Sequence, residues 1–396
     1  MSLLLAVLVL LQDPVPGLLG KIDGKDPEAC FRAIAELADL GPTRRADIER
    51  GAEKLPEFYR QALLAELRET APVKRVTIRG SGRTGSSYLE ELGGKVGEVY
   101  WNRERLYDDE SEPKTLDLAL KEMPVLEALK RICIQGEFYP TNVVRGYDQA
   151  HYEWAVTGRR ALAVRHYSDL VRSIPLGGRV TWRARIEISL IAEPGVHILS
   201  TDDVKLFEAV AKGGRALREH PGEAESTVSR RYYGPTVYAR EWDSVAGVEI
   251  DVPGDIESIE RLRIAFLPKV ATSVCVVELP VDPAGKKETV SKDGFTVTML
   301  DDPAMAQKGD DPRIRISSNR LTRDELIKLP IKAEFVGESR TNVDLGEITP
   351  AEGQAMDCVV SVNMEPPQKA FKVRLHLPMA IEVKPIYAEF RDIQLK

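Results

Sequence analysis

Val180-Thr181-Trp182-Arg183-Ala184-Arg185-Ile186-Glu187-Ile188-Ser189-Leu190 alternates without a break. Val180, Trp182, Ala184, Ile186, Ile188 and Leu190 face one way and Thr181, Arg183, Arg185, Glu187 and Ser189 the other, the pattern of a strand with one buried and one wet face. Downstream the same period of two returns at Leu262, Ile264 and Phe266, then from Val274 to Leu279. It continues at Phe295, Val297 and Met299, at Ile314 and Ile316, at Ile331, Ala333 and Phe335, and from Cys358 to Val362. Phe371, Val373, Leu375 and Leu377, then Ile381 and Val383, close the series. Evenly spaced strands joined by turn residues predict antiparallel β-sandwiches. The turn Asp282-Pro283-Ala284-Gly285 divides them into a sandwich over 158–281 and a second, Ig-like β-rich domain over 282–396. Residues 204–211 fit a helix or a strand, with Gly213-Gly214 favouring a hairpin, and Thr322 to Leu329 is the expected short helix.

Upstream the period lengthens. Asp26 and Pro27 open a helix in which Cys30, Phe31, Ile34, Leu37 and Ala38 form one stripe, and Gly41-Pro42 stops it. A second helix starts near Pro56 and carries Tyr59, Leu63 and Leu67. Residues 22–71 therefore read as a helical segment whose rhythm resembles one HEAT-type helical hairpin. Between 73 and 157 strands and helices alternate. Val76 to Ile78 is a strand, and Tyr88, Leu89, Leu92 and Val96 mark a helix before Val99 and Tyr100. Leu116, Leu118 and Leu120 are a strand, and Pro124 opens a helix through Val125, Leu126, Leu129, Ile132 and Cys133 to Gly136. Strands near Tyr139 to Val144 and Tyr152 to Val156 complete two quasi-repeats in which Leu89 and Leu92 match Leu126 and Leu129. The expected class is α+β.

The run Leu116-Asp117-Leu118-Ala119-Leu120-Lys121-Glu122-Met123-Pro124-Val125-Leu126-Glu127-Ala128-Leu129, with Gly136 downstream, resembles the secretin and TonB-receptor N-terminal short domain. The resemblance covers residues 73–157 and implies a β-α-β-β-α-β module for protein interaction or structure. Gly80, Gly82 and Gly85 depart from that domain's compact loop, and no secretin or barrel pattern follows. The chain as a whole is similar to envelope proteins of planctomycete type, in which such a module precedes β-rich domains.

Ser2 to Leu11 is uninterrupted apolar sequence, too short to span a bilayer, so residues 1–16 read as a signal peptide, with a buried helix as the alternative. No Lys or Arg precedes that run. The expected location is the periplasm or cell envelope, with no membrane span in the remainder. The 396 residues carry 55 Lys and Arg against 62 Asp and Glu, a net charge of −7, which gives no reason to expect nucleic acid as a partner. Cys30, Cys133, Cys275 and Cys358 lack C-x-x-C spacing and fit buried thiols, with a Cys275–Cys358 bridge as the alternative.

Chemistry-bearing patterns are sparse. His151, His166, His197, His220 and His376 show no metal-ligand spacing. Gly80-Ser81-Gly82-Arg83-Thr84-Gly85-Ser86-Ser87 is similar in outline to a phosphate cradle, but it lacks the lysine that meets the phosphates, and a flexible strand-to-helix connection is expected instead. The adjacent pairs Asp202-Asp203, Asp301-Asp302 and Asp310-Asp311 read as solvated turns, with weak calcium binding over 301–311 as the alternative. No catalytic, cofactor or metal residues are assigned. The candidate binding patch is Arg230, Arg231, Tyr232, Tyr233, Tyr238, Arg240 and Trp242, because Tyr, Trp and Arg combine rigid contact area with a polar tip. The alternative is that these aromatics fill a core. The functional expectation is a non-enzymatic exported protein that binds or scaffolds envelope proteins or glycans. Its rivals are a polysaccharide-acting enzyme with residues dispersed over loops, and a secretion-system accessory that docks a channel through the short-domain-like module.

Overall fold

The computed structural model describes residues 13–69, 72–96, 115–136, 153–158, 161–173, 181–201, 204–220, 245–281, 287–301, 312–336, 342–363 and 371–395. The chain opens with helices α1 (Pro14–Leu19), α2 (Pro27–Asp39), α3 (Arg45–Ala52) and α4 (Glu57–Arg68). Asp13 caps α1 and Asp26 caps α2 by accepting from free N–H groups of the first turn, and each helix begins with proline. Val15 and Leu18 of α1 are buried with the α2 stripe and with Tyr59, Leu63 and Leu67 of α4. Residues 14–16 thus pack as part of the helical lead.

An α+β unit follows, made of β1 (Arg75–Thr84), α5 (Gly85–Val96), β2 (Thr115–Pro124) and α6 (Val125–Gly136). The strands pair antiparallel, and each element of the second half begins 40 residues after its counterpart, Arg75 with Thr115 and Gly85 with Val125. Leu89 therefore matches Leu129 and Leu92 matches Ile132, a three-residue correction to the leucine alignment read from sequence. Register is symmetric under this shift: Val76 faces Met123 as Leu116 faces Arg83, and Ile78 faces Leu120 as Leu118 faces Gly80. Each half carries a bulge with one residue at positive φ, Gly82 (64°) and Glu122 (47°). The opposite strand clamps each: the Gly82 N–H donates to Asp117 Oδ1 (2.8 Å) and the Glu122 N–H to Thr77 Oγ1 (3.1 Å). A core site is filled in opposite ways. In the first half Tyr88 Oη would lie 2.7 Å from a Cβ on Gly80, whereas the second half has Leu120 and Ala128 at those positions. The connection before α5 is strand up to Thr84, not a flexible loop, and Arg83 donates to Ser87 and Glu91 and stacks on the Tyr88 ring.

The β-rich remainder begins with β3 (Glu153–Trp154), β4 (Val156–Thr157), β5 (Ala161–Ser173), β6 (Thr181–Ala192), β7 (His197–Ser200), β8 (Val204–Ala211), β9 (Arg215–Ala216) and β10 (Arg218–Glu219). Then come β11 (Val245–Val252), β12 (Ser258–Phe266), β13 (Lys269–Val281), β14 (Thr289–Lys292), β15 (Phe295–Met299) and β16 (Arg313–Ser318). A short helix, α7 (Arg323–Ile327), has a Thr322/Glu325 capping box. The last strands are β17 (Lys332–Val336), β18 (Asn342–Pro350), β19 (Ala355–Asn363), β20 (Phe371–Val383) and β21 (Ile386–Gln394). Glu153–Trp154 and Val156–Thr157 do not complete the α+β unit: β3 pairs with β5 and β4 with β21. Ala155 between them is buried in the neighbouring core, so the chain switches sheets there.

Two pairs of antiparallel sheets face each other. Sheet β10-β11-β6-β5-β3 packs on sheet β4-β21-β12-β8-β9 over Ala184, Ile186, Ile188 and Leu190 from one side and Leu262, Ile264 and Phe390 from the other. Sheet β17-β20-β13-β7 packs on sheet β14-β15-β16-β19-β18 over Val277, Leu279 and Leu375 against Val297, Ile316 and Met356. Each of the larger of these side chains, Ala184 excepted, contributes about 1.5–3 kcal/mol by leaving water. Residues 204–211 are a strand, joined to β9 across Gly213 and Gly214, both at positive φ.

The two lobes are not consecutive in sequence. Strands β12 and β13 lie end to end across Leu267-Pro268, and β20 and β21 across Lys384-Pro385. They pair with each other on both sides of this bend, from Ser258 with Gln394 to Phe266 with Ile386, and from Lys269 with Val383 to Val281 with Phe371. Strands β7 and β8 follow the same course alongside, pairing with β13 and β12. By this pairing β13 belongs to the second lobe and the C-terminal β21 returns to the first. All four cysteines are free and buried, so Cys275 and Cys358 are two core thiols.

Candidate functional site: a cleft where the lobes meet

The helical lead covers the outer face of sheet β4-β21-β12-β8-β9. A bulge opposite Arg263 and Ile264 leaves Phe207 unpaired, and its ring meets Phe58 at 5.5 Å. Phe58 also contacts Tyr387 at 5.7 Å and Tyr59 at 5.2 Å, all edge to face. Beside these rings lies a buried charge network. Tyr59 Oη donates to Glu389 Oε2 (2.6 Å), which also accepts from Arg263 Nε (2.9 Å). Arg263 Nη1 donates to Glu208 Oε2 (2.9 Å), and Glu208 accepts two bonds from Arg261. The other oxygen of Glu389 accepts from Arg391, and both Arg263 and Arg391 reach back to carbonyls of the lead, at Gly24 and Lys25. The Glu389 carboxylate is fully buried. Burial, reinforced by the bond to Glu389, pushes the Tyr59 hydroxyl far above its ordinary range, so it stays protonated and donating. Burial is the largest single influence on Arg263 and opposes its charge, but Glu389, Tyr59 and Glu208 together outweigh it and raise its pKa. Every polar atom named here has a partner, so the network staples the lead to the sheet.

The staple fixes one wall of a cleft of about 400 Å³. Ala62, Ala65 and Glu66 of α4 form that wall, and the Glu193-Pro194-Gly195-Val196 turn after β6 forms the second. Lys74, just before β1, and the bend at Val383 to Tyr387 close it, so every lobe of the molecule contributes. Lys384 Nζ pairs with Glu69 (2.9 Å), and the Lys74 N–H donates to Glu193 Oε1 (3.0 Å), tying the α+β unit to the first lobe. Charged groups of both signs rim apolar flooring from Val196, Val270 and Ile386. Such a surface is suited to hold a ligand by shape and mixed polarity.

The sequence-predicted patch from Arg230 to Trp242 (Arg230, Arg231, Tyr232, Tyr233, Tyr238, Arg240, Trp242) lies outside the described residues, as do the apolar run 2–11 and the strands expected near 99 and 139–144. His220 Nδ1 is 2.6 Å from Asp251, and His376 Nε2 is 2.9 Å from Glu334. Asp301 is engaged by Arg313 through two side-chain bonds and the backbone N–H, which occupies the carboxylate that the calcium alternative needs. Among the described residues, no three His, Cys, Asp or Glu side chains converge as a metal site. Sequence reading missed the cleft and the staple altogether. Glu389, Arg391, Arg261 and Arg263 occupy the polar phase of their strands and read as a solvated face until the lead is placed over them. No helix among the described residues is long and apolar enough to cross a membrane. Comparison with protein-family models, curated proteins and solved structures returned no match.

Proposed function

We propose that the protein is an exported, non-enzymatic binding scaffold of the cell envelope, with an interaction module of short-domain type and two sandwich lobes of immunoglobulin-like kind, and that the cleft at the lobe junction holds a segment of a partner envelope protein or glycan. The observation that carries this reading is the cleft's construction. Its walls come from four parts of the chain, and two contacts at its rim hold parts together, the Lys384–Glu69 ion pair and the hydrogen bond from the Lys74 N–H to Glu193. Rigid concave surfaces of this kind favour recognition, because little ordering is lost on binding. The apolar run at Ser2 to Leu11 supports the exported location.

The test replaces Ala65, which lines the cleft from the helix wall, with tryptophan. Immobilised full-length protein, wild type and Ala65→Trp, is exposed to solubilised envelope proteins and to envelope glycan fragments. The expected outcome is a ligand retained by wild type and reduced at least tenfold by Ala65→Trp at equal thermal stability. Identical retention by both, or release of cleaved glycan by the wild type, overturns the proposal.

A further inference from the structure

The bend also leaves a strand edge that no strand among the described residues covers. On the outward side of the β20–β21 course, β17 pairs only with residues 372–376 and β4 only with residues 388–389. Among the described residues, no strand pairs with that edge from 377 to 387. Ile381, Glu382 and Val383 are all exposed there, and Ile381 (43 %) and Val383 (56 %) are two of the three strongly exposed large apolar side chains among the described residues. Natural proteins seldom leave apolar side chains on an open edge unless something pairs with it.

The direction of the free groups follows from one bond. The Lys384 N–H donates across the ribbon to Pro268 O (3.2 Å), so residue 384, and by alternation 382, turn their backbone groups inward. Those of Ile381 and Val383 turn outward. Pro378 and Pro385 bracket the segment and limit any pairing to a few residues.

From this edge we infer that the protein forms a symmetric dimer by antiparallel pairing of residues 381–385 with the same residues of a second copy, centred on Val383. In that register Glu382 lies opposite the second copy's Lys384, twice over by symmetry. Val383 meets Val383 and Ile381 meets Pro385 on the other face. The edge is self-complementary in charge on one side and apolar on the other. Centring on Glu382 instead would set two carboxylates face to face, which is unfavourable. Within the chain Lys384 pairs with Glu69 at 2.9 Å and lies 4.0 Å from Glu382, and the incoming Glu382 adds a carboxylate from across the seam. A twofold contact of this kind is closed and stops at two copies.

Sedimentation velocity of the full chain tests this at concentrations of roughly 10–200 µM, the range in which a contact this small would associate. The wild type is expected to shift from monomer to dimer across that range. Glu382→Lys and Lys384→Glu alone each place like charges opposite one another and should weaken association at least tenfold. An equimolar mixture of the two restores complementarity and should dimerise as the wild type does. Val383→Pro removes an outward N–H without touching a charge and should be monomeric, which provides an arm independent of the Lys384–Glu69 pair. A wild type that stays monomeric throughout, or single reversals that dimerise undiminished, would overturn the inference.

Discussion

Two sheets of this molecule carry nearly the same charged chemistry on their outer faces, and among the described residues only one of them is covered. On sheet β4-β21-β12-β8-β9, Arg261, Arg263, Glu208, Glu389 and Arg391 interlock beneath the helical lead, with Arg263 12 % exposed and Glu389 not at all. On sheet β17-β20-β13-β7, Glu278 binds Lys372 and Arg374, while Glu334 binds Lys332 and His376, at 2.6–3.0 Å. Those distances match the covered network, yet Glu278 and Arg374 remain about one-third exposed. Geometry alone therefore does not set the strength of an ion pair. Under the lead, removing one partner strands a charge that water cannot reach, whereas on the open sheet water takes the partner's place.

The sharpest test of this contrast is a matched pair of arginine truncations. Arg263→Ala takes from buried Glu389 the more buried of its two guanidinium partners, leaving Arg391 and Tyr59, and should cost about 3–5 kcal/mol in chemical denaturation. Arg374→Ala should cost less than about 1 kcal/mol by the same measurement. Equal losses would break the comparison. A smaller effect is expected from Tyr59→Phe, which deletes one donor to the buried carboxylate while Arg263 and Arg391 remain, at about 1–3 kcal/mol. The smallest concerns pH. The bond from His376, against an opposing burial effect and with help from Lys332, holds Glu334 at about 2, below its ordinary value of 4.5. A depressed carboxyl stabilises the fold fully above its unfolded value, and that contribution is lost as pH falls from about 4.5 towards 2. Since Glu334 is a third exposed, solvent screening keeps the contribution small. Glu334→Gln should flatten the acid limb of stability only slightly, as read from thermal melts between those pH values.

Sequence reading reached what short-range periodicity encodes. The α2 stripe, the Tyr59-Leu63-Leu67 ridge of α4 and the short helix at 323–327 stand where spacing and capping residues place them, and the alternation through β6 holds from Trp182 to Ile188 but fails at Ser189, which is buried. The duplication in the α+β unit was visible but misaligned, because leucines were matched to leucines while the core exchanges Gly80 and Tyr88 for Leu120 and Ala128. Long-range pairing left no local trace. Nothing near Ile386 announces that this strand leaves its sequence neighbours and pairs with Phe266 and its neighbours in the first lobe. The cleft was hidden for the same reason, since Ala65, Gly195 and Lys384 are ordinary residues until the bend brings them together.

The account depends on the helical lead being locked to its sheet by the covered charges, since that lock makes one wall of the cleft rigid. Native-state hydrogen exchange of the α4 amides measures this directly, in wild type, Arg263→Ala and Arg374→Ala. The account predicts that Arg263→Ala lowers α4 protection by about 100-fold or more while Arg374→Ala leaves it at the wild-type level. Unchanged α4 protection in Arg263→Ala would contradict it.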